Sequence, residues 1–255
     1  MKVFVVNLER DVARLEVVRR QFERLGVAFE RLPAVYGRDL TKREKSCAVN
    51  RFRWWCAVGR QTTDGELGCA LSHAAFYHKV IDEDLPIACV VEDDVVLDER
   101  FKFVLDALEK LCVRDAPQVV LLSNHSDKDG QLGDGYNGFV TPSEVREVSL
   151  KRIMGDMFTE GYVVTNGGAR AMLKANAPIA VPCDWWHRWA GLGQIELYHV
   201  FPTVCRQDKA AFESHTVVGI ARPTKDLPLP LYCSHMIKRA IGVAIDRILI
   251  RFMGR

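Results

Sequence analysis

The sequence predicts an α/β fold built on a doubly wound sheet, and three observations carry that prediction. The chain opens with a β-rich run, a helical stretch and a second β-rich run. Strand-like and helix-like segments go on alternating along the chain. One apolar run, Ile87-Ala88-Cys89-Val90-Val91, passes directly into Glu92-Asp93-Asp94. Open α/β sheets bind their ligands outside the carboxyl ends of the strands.

The elements follow in order. Val3–Val6 reads as a buried strand, which Asn7-Leu8-Glu9-Arg10-Asp11 ends. Val12, Leu15, Val18, Phe22 and Leu25 recur at helical spacing, with Gly26 closing the helix. Val27–Leu32 reads as the second strand. Residues 37–65 are irregular and strongly charged, a helical excursion or a loop near a site mouth. Gly65–Ile81 reads as a helix, Ile87–Val91 as a strand after Pro86, Arg100–Leu111 as a helix and Val119–Leu122 as a strand. Gly130–Gly138 is glycine-rich and predicts a mobile loop. Strands are expected at Val145–Leu150, Gly161–Thr165 and Ile195–Val200, and a short helix at Gly168–Ala175. Pro223–Pro230 reads as a linker.

A length of 255 residues, 48% of them hydrophobic, fits one large domain or one domain with a short appendage. The division expected is a domain over residues 1–222 and a linker with a terminal helix over 223–255. The net charge of +2 gives no reason to expect nucleic acid as a partner. None of the eight cysteines is in C-x-x-C spacing, and most sit in apolar contexts, so buried reduced thiols are expected rather than a zinc ribbon. The opening apolar run is too short for a signal peptide, and no run of about 18 apolar residues occurs. A cytoplasmic protein is the expectation.

The acidic triplet carries the strongest chemical signal. Three adjacent carboxylates repel one another and are costly to bury uncompensated, and a cation removes both problems. Oxygen-only ligands suit Mn²⁺ or Mg²⁺ rather than zinc, so Glu92, Asp93 and Asp94 are the candidate metal ligands. Strand alternation would set Glu92 and Asp94 on one side. The bland alternative is a solvated acidic turn after a core strand. No Gly-Lys dipeptide exists, which excludes a P-loop. No G-x-G-x-x-G follows the first strand, and neither H-E-x-x-H nor G-x-S-x-G is present.

Several segments, in order, resemble glycosyltransferase family 25, which includes bacterial lipopolysaccharide galactosyltransferases. They are Asn7-Leu8-Glu9-Arg10, Gly65-Glu66-Leu67-Gly68-Cys69-Ala70-Leu71-Ser72-His73 and Val91-Glu92-Asp93-Asp94. Glu160-Gly161-Tyr162-Val163-Val164 with Gly168-Ala169, Val181-Pro182-Cys183-Asp184-Trp185 and Pro202-Thr203-Val204-Cys205-Arg206-Gln207 continue the series. Residues 42–63, with Trp54-Trp55, match nothing in the family pattern. The resemblance implies a GT-A-like nucleotide-binding fold. It also implies inverting transfer of a sugar, usually galactose from UDP-galactose, to a lipopolysaccharide- or lipooligosaccharide-type glycan or lipid-linked saccharide acceptor.

Roles follow as expectations. Mn²⁺ at the triplet would stabilise the departing UDP. Asp184 is the first candidate for the base that takes the acceptor proton, with Glu160 and Asp156 in reserve; the alternative for Asp184 is a helix N-cap. Asn7, Leu8, Arg10, Arg14, Ser72, His73, Glu92, Asp93 and Gln207 are the candidate donor-binding residues, Gln207 from resemblance alone. Arg10 and Arg14 equally fit a solvated helix face, and His73 fits a packed core histidine. Trp185 and Trp186, with Trp189, offer faces for an acceptor sugar, or ordinary core packing.

From Met236 to Arg255, Ile237, Ile241, Ile245, Ile248 and Phe252 alternate with basic residues. That pattern predicts an amphipathic helix, either lying on the anionic inner face of a membrane or docked on the domain. Two other functions remain open from the residues alone. One is a metal-dependent sugar nucleotidyltransferase, for which Val6-Asn7-Leu8-Glu9 lacks the glycine- and lysine-rich loop. The other is a non-catalytic nucleotide-sugar-binding protein on a transferase scaffold.

Overall fold

A computed structural model describes residues 1–123, 138–139, 149–152, 158–208 and, near the carboxyl terminus, 237, 240–244 and 247–248. The chain forms two compact units. The first comprises Met1–Ala34, Ser72–Leu173 and Asp184–Glu213, and the second Val35–Leu71, Lys174–Cys183 and Ser214–Arg255.

In chain order the elements are β1 (Lys2–Asn7), α1 (Val12–Leu25), β2 (Glu30–Pro33), α2 (Lys42–Ala48), α3 (Arg51–Val58), α4 (Asp64–Asp82) and β3 (Ile87–Glu92). There follow β4 (Val95–Leu97), α5 (Phe101–Leu111), β5 (Gln118–Leu121), β6 (Gly138–Phe139), β7 (Ser149–Arg152) and β8 (Gly161–Thr165). The last are α6 (Asn166–Asn176), α7 (Trp186–Gly191), β9 (Glu196–Phe201) and β10 (Cys205–Gln207).

The first unit holds an eight-stranded sheet in the order β2-β1-β3-β8-β5-β9-β7-β6 and a two-stranded ribbon of β4 and β10. The opening β-α-β forms a parallel trio, with β1 flanked by β2 and β3. Beyond it the sheet is mixed: β8 runs antiparallel to both β3 and β5, while β5 and β9 are parallel. The expected doubly wound arrangement therefore describes one half of the sheet. Its central strands β1, β3, β5 and β8 are nearly all apolar and buried, as strands covered on both faces must be. One core face gathers Val3, Val5, Val18, Phe22, Cys89, Val91, Phe101, Leu105 and Leu108.

The second strand begins later than the sequence suggests, at Glu30 instead of Val27. Gly26 adopts a left-handed conformation (φ 61°), and the Val27 amide donates to the Phe22 carbonyl at 3.0 Å. Residue 27 thus closes α1 rather than opening a strand.

In the second unit, the charged stretch 37–65 contains α2 and α3. Thr41 and Glu44 form a capping box on α2, and the Asn50 side chain caps α3. Val49, Trp54, Leu67, Ala70, Ile179 and Cys183 make this unit's core.

Most of the glycine-rich stretch 130–138, the residues 145–148 and the proline-bounded segment 223–230 lie outside the described residues, as does Asp156. In the tail, residues 237, 240–244 and 247–248 are helical, and Ile237, Ile241 and Ile248 are exposed. No described helix is long and apolar enough to cross a membrane.

Candidate active site at the carboxyl ends of β1 and β3

Register brings the polar residues together. β1 and β3 are parallel neighbours with Val6 opposite Glu92, so Asn7 and Asp93 leave the sheet side by side. The Asn7 amide donates to Asp93 Oδ2 at 2.7 Å and to the Asp11 carbonyl at 3.0 Å. Arg14, in the first turn of α1, reaches Asp93 Oδ1 at 3.2 Å and Asp94 Oδ2 at 3.6 Å. Arg31 on β2 donates to Asn7 Oδ1 at 3.0 Å. The β4–β10 ribbon sets Gln207 opposite Val95, and the Gln207 amide donates to Asp94 Oδ2 at 3.1 Å.

The triplet does not continue the strand. β3 ends at Glu92, and Asp93-Asp94 form a turn before β4. Strand alternation consequently does not pair Glu92 with Asp94 as expected. Asp93 and Asp94 share Arg14, whereas Glu92 points elsewhere. Glu92 Oε1 accepts a 2.5 Å bond from the Thr159 hydroxyl and lies 3.5 Å from His73 Nε2. His73 Nδ1 is 2.8 Å from the Tyr162 hydroxyl, which in turn donates to the Tyr77 hydroxyl at 3.0 Å. A buried polar chain thus runs from Glu92 into the core.

The three carboxyls differ electrostatically. Burial pushes Glu92 up, but the His73 hydrogen bond and charge, Thr159 and Arg14 together outweigh it and hold Glu92 below the usual carboxylate range. Asp93 is raised by burial, against the pull of Asn7 and Arg14. Asp94 is raised to about 6, by burial first and then by the charge of Glu92, with Gln207 opposing. Asp94 Oδ1 is buried and has no hydrogen-bond partner among the described residues. Two carboxylates sharing one guanidinium, with a third acid beside them and a buried carboxylate oxygen still to be satisfied, fit a hard divalent cation. Asp94 is the candidate ligand with an oxygen still open, Asp93 shares its turn, and Glu92 is committed to Thr159 and His73.

The remaining predicted residues divide by exposure. Leu8 is half-buried directly after Asn7, and Arg10 is exposed and 3.8 Å from Asp11. Ser72 and His73 are buried on α4. Glu160 is buried, and its carbonyl accepts from the Glu92 amide at 2.9 Å. Asp184 is half-buried, and it is not the N-cap of α7: Trp185 holds that position, with no side-chain cap bond. Trp186 is fully buried against Tyr162, and its indole N–H donates to the Phe158 carbonyl at 2.8 Å. Trp189 is also buried, which leaves Trp185 as the partly exposed indole of the three. Phe158 itself has φ 136°, a strained conformation for a bulky residue directly before Thr159.

Arg31, Thr159 and Tyr77 carry no signal in the sequence. No local pattern marks them, since each reaches the cluster only through strand register or a buried contact.

A mixed α/β sheet with an acidic turn at the carboxyl end of a parallel strand defines an α/β protein with a candidate hard-cation site. The match to a family model narrows this further. The model of glycosyltransferase family 25, described as LPS biosynthesis protein, matches residues 1–186, and the chain belongs to that family. A putative glycosyltransferase of Haemophilus influenzae is 23% identical over 214 residues, 80% of this chain and 70% of that protein. A glycosyltransferase 25 family member of Drosophila melanogaster is 31% identical over 104 residues, 40% of this chain and 17% of the fly protein. Human procollagen galactosyltransferase 2 is likewise 31% identical over 104 residues, with the same shares. This chain therefore spans only 17% of the length of those two animal relatives.

Proposed function

We propose that the protein is an inverting, metal-dependent glycosyltransferase of GT-A-like fold, moving galactose from UDP-galactose to a lipopolysaccharide-type saccharide. The observation that carries this reading is Asp94. It is a buried carboxylate with one oxygen still without a hydrogen-bond partner among the described residues, beside two further acids. Galactose is favoured by the relatives named procollagen galactosyltransferases, and a lipopolysaccharide-type acceptor by the family description. Membership of a glycosyltransferase family also favours sugar transfer over nucleotidyl transfer.

In this reading Asp94 and Asp93 hold Mn²⁺ or Mg²⁺, with Glu92 fixing the turn from behind. A cation bound there supplies Lewis-acid stabilisation of the charge on the departing diphosphate. Arg14 opposes the rise that burial imposes on Asp93 and Asp94 and adds positive charge toward the phosphates, with the exposed Arg10 near it in sequence. Asn7 and Gln207 orient Asp93 and Asp94, while His73, Ser72 and Leu8 shape the donor side. Asp184 takes the proton from the acceptor hydroxyl, a role that suits a half-buried carboxylate directly before the partly exposed Trp185 in sequence; the buried Glu160 is the reserve. Trp185 offers its ring to the acceptor sugar and Trp186 supports it from the core. Ile237, Ile241 and Ile248, exposed and recurring near helical spacing among basic residues, support peripheral attachment to the inner face of the cytoplasmic membrane.

A panel of UDP-sugars, assayed with lipooligosaccharide acceptors with and without Mn²⁺, tests the reaction. UDP-galactose is expected to be consumed only with metal, and Asp184→Asn to stop transfer while leaving UDP binding intact. Turnover of another donor, turnover in chelator or full activity of Asp184→Asn each removes the corresponding part. Deleting residues 236–255 is expected to shift the protein from membrane to soluble fractions; an unchanged distribution argues against attachment.

A further inference from the structure

The second unit contains a pair of thiols that the proposed transfer does not use. Cys69 on α4 and Cys183 lie 114 positions apart in sequence, yet their sulfurs are 3.3 Å from each other. Cys69 is half-buried and Cys183 buried, at the edge of the core that includes Trp54 and Ile179.

Both are held by backbone. A Cβ on Gly68, next to Cys69, would meet the Val35 carbonyl at 2.5 Å, and one on Gly37 would meet the Asp64 carbonyl at 1.8 Å. The start of α4 and the segment 35–37 thus touch backbone to backbone. The segment leading to Cys183 is organised by the Asn176 side chain, whose Oδ1 accepts from the Ala180 and Val181 backbone amides and whose Nδ2 donates to the Val181 carbonyl. It is tied to the α2–α3 connection by Ile179 N–H to the Ala48 carbonyl and Asn50 N–H to the Ile179 carbonyl. Folding therefore brings two thiols into contact, a high effective concentration that an unfolded chain lacks.

We infer that Cys69 and Cys183 form a reversible disulfide when the protein meets a low-molecular-weight disulfide such as oxidised glutathione. The more accessible Cys69 thiolate attacks one sulfur of the reagent, forming a mixed disulfide and expelling one small thiolate. Cys183 then gives its proton to solvent, and its sulfur displaces the second small thiolate. Two protein thiols are oxidised by two electrons, the reagent is reduced by two, and two small thiols leave. The bond requires the sulfurs to close from 3.3 Å to about 2.05 Å. Three of the other described thiols compete poorly. Burial pushes Cys89 and Cys205 far up and Cys112 up to about 11. Exposed Cys47 is the competitor to watch.

This inference is independent of the transferase reading. The test is to incubate the intact protein with oxidised glutathione, alkylate the remaining thiols and map peptides by mass spectrometry without reduction. The principal cross-link is expected to join the Cys69 and Cys183 peptides and to disappear with dithiothreitol. Cross-linking should raise the Tm by several degrees, because a long loop is closed in the unfolded chain. In Cys183→Ser the glutathione adduct at Cys69 should accumulate several-fold over wild type. Wild-type protein that carries separate glutathione adducts on both residues, or links either one to another cysteine, overturns the inference. Mapping on wild type distinguishes these outcomes even if a variant fails to fold.

Discussion

The two ends of the parallel strands in the first unit solve opposite problems. At the amino ends, Lys2 meets Glu83 at 2.7 Å and Lys79 meets both Glu30 and Glu83 at 2.7 Å, an ion-pair network at the surface. These pairs face water, hold the Glu83 carboxyl down and the Lys79 ammonium up, and contribute little to stability. At the carboxyl ends, two buried acids share one arginine beside a third acid, and the two are pushed upward. Charges at the first end could be exchanged for neutral residues with little effect. At the second, the charges of Asp93 and Asp94 cost the fold free energy, as expected of the binding site proposed above.

The largest expected effect is at Asp94. Replacing it with Asn should lower transfer by about a thousandfold or more, through loss of the metal ligand. The same change should stabilise the metal-free protein. Asp94 has a folded-state pKa of about 6 against an ordinary 3.8. Its contribution to stability is therefore present in full below about pH 4 and lost as pH rises through about 6. Asn mimics the protonated acid, so the variant's advantage should be absent near pH 4. It should reach on the order of 2 kcal/mol above pH 7 by chemical denaturation. A destabilised variant at pH 7.5 would erase the contrast between the two ends.

Trp186→Ala should come next, costing about 3–5 kcal/mol by denaturant titration, because a fully buried indole on Tyr162 leaves a cavity and strands the Phe158 carbonyl. Arg14→Met should cost about 3 kcal/mol, since Asp93 and Asp94 lose their shared cation, and Mn²⁺ should restore part of it in a thermal-shift assay. Lys79→Met, at the opposite end, should move the Tm by less than about 2 °C, and less still in high salt. A large Lys79 effect would show that the amino-end network carries stability after all.

The strands, the long helices and the chemical weight of Glu92-Asp93-Asp94 were legible because each rests on a local pattern: apolar runs, helical spacing and adjacent like charges. Two further features are written in the sequence as local signals. Thr41-Lys42-Arg43-Glu44 is a capping box, and Thr63-Asp64-Gly65-Glu66 repeats it ahead of α4, with Thr63 and Glu66 bonding reciprocally. Both mark helix starts within or at the edge of a stretch whose dense charge makes it look irregular. The orientation of Glu92 toward His73 was not legible. It depends on where Thr159 and Tyr162 fall when β8 pairs with β3, and on a turn that breaks the strand at Asp93. The mixed sheet was hidden for the same reason, since a buried apolar strand such as Gly161–Thr165 reads alike in either direction.

Manganese-dependent UDP binding, measured by calorimetry on wild type and Asp94→Asn, tests the acidic turn most directly. Wild type should bind UDP tightly with Mn²⁺ and at least about tenfold more weakly in chelator, and the variant should bind weakly in both. Equal affinity of the two proteins in Mn²⁺ would contradict the assignment of Asp94 as the ligand on which the metal depends.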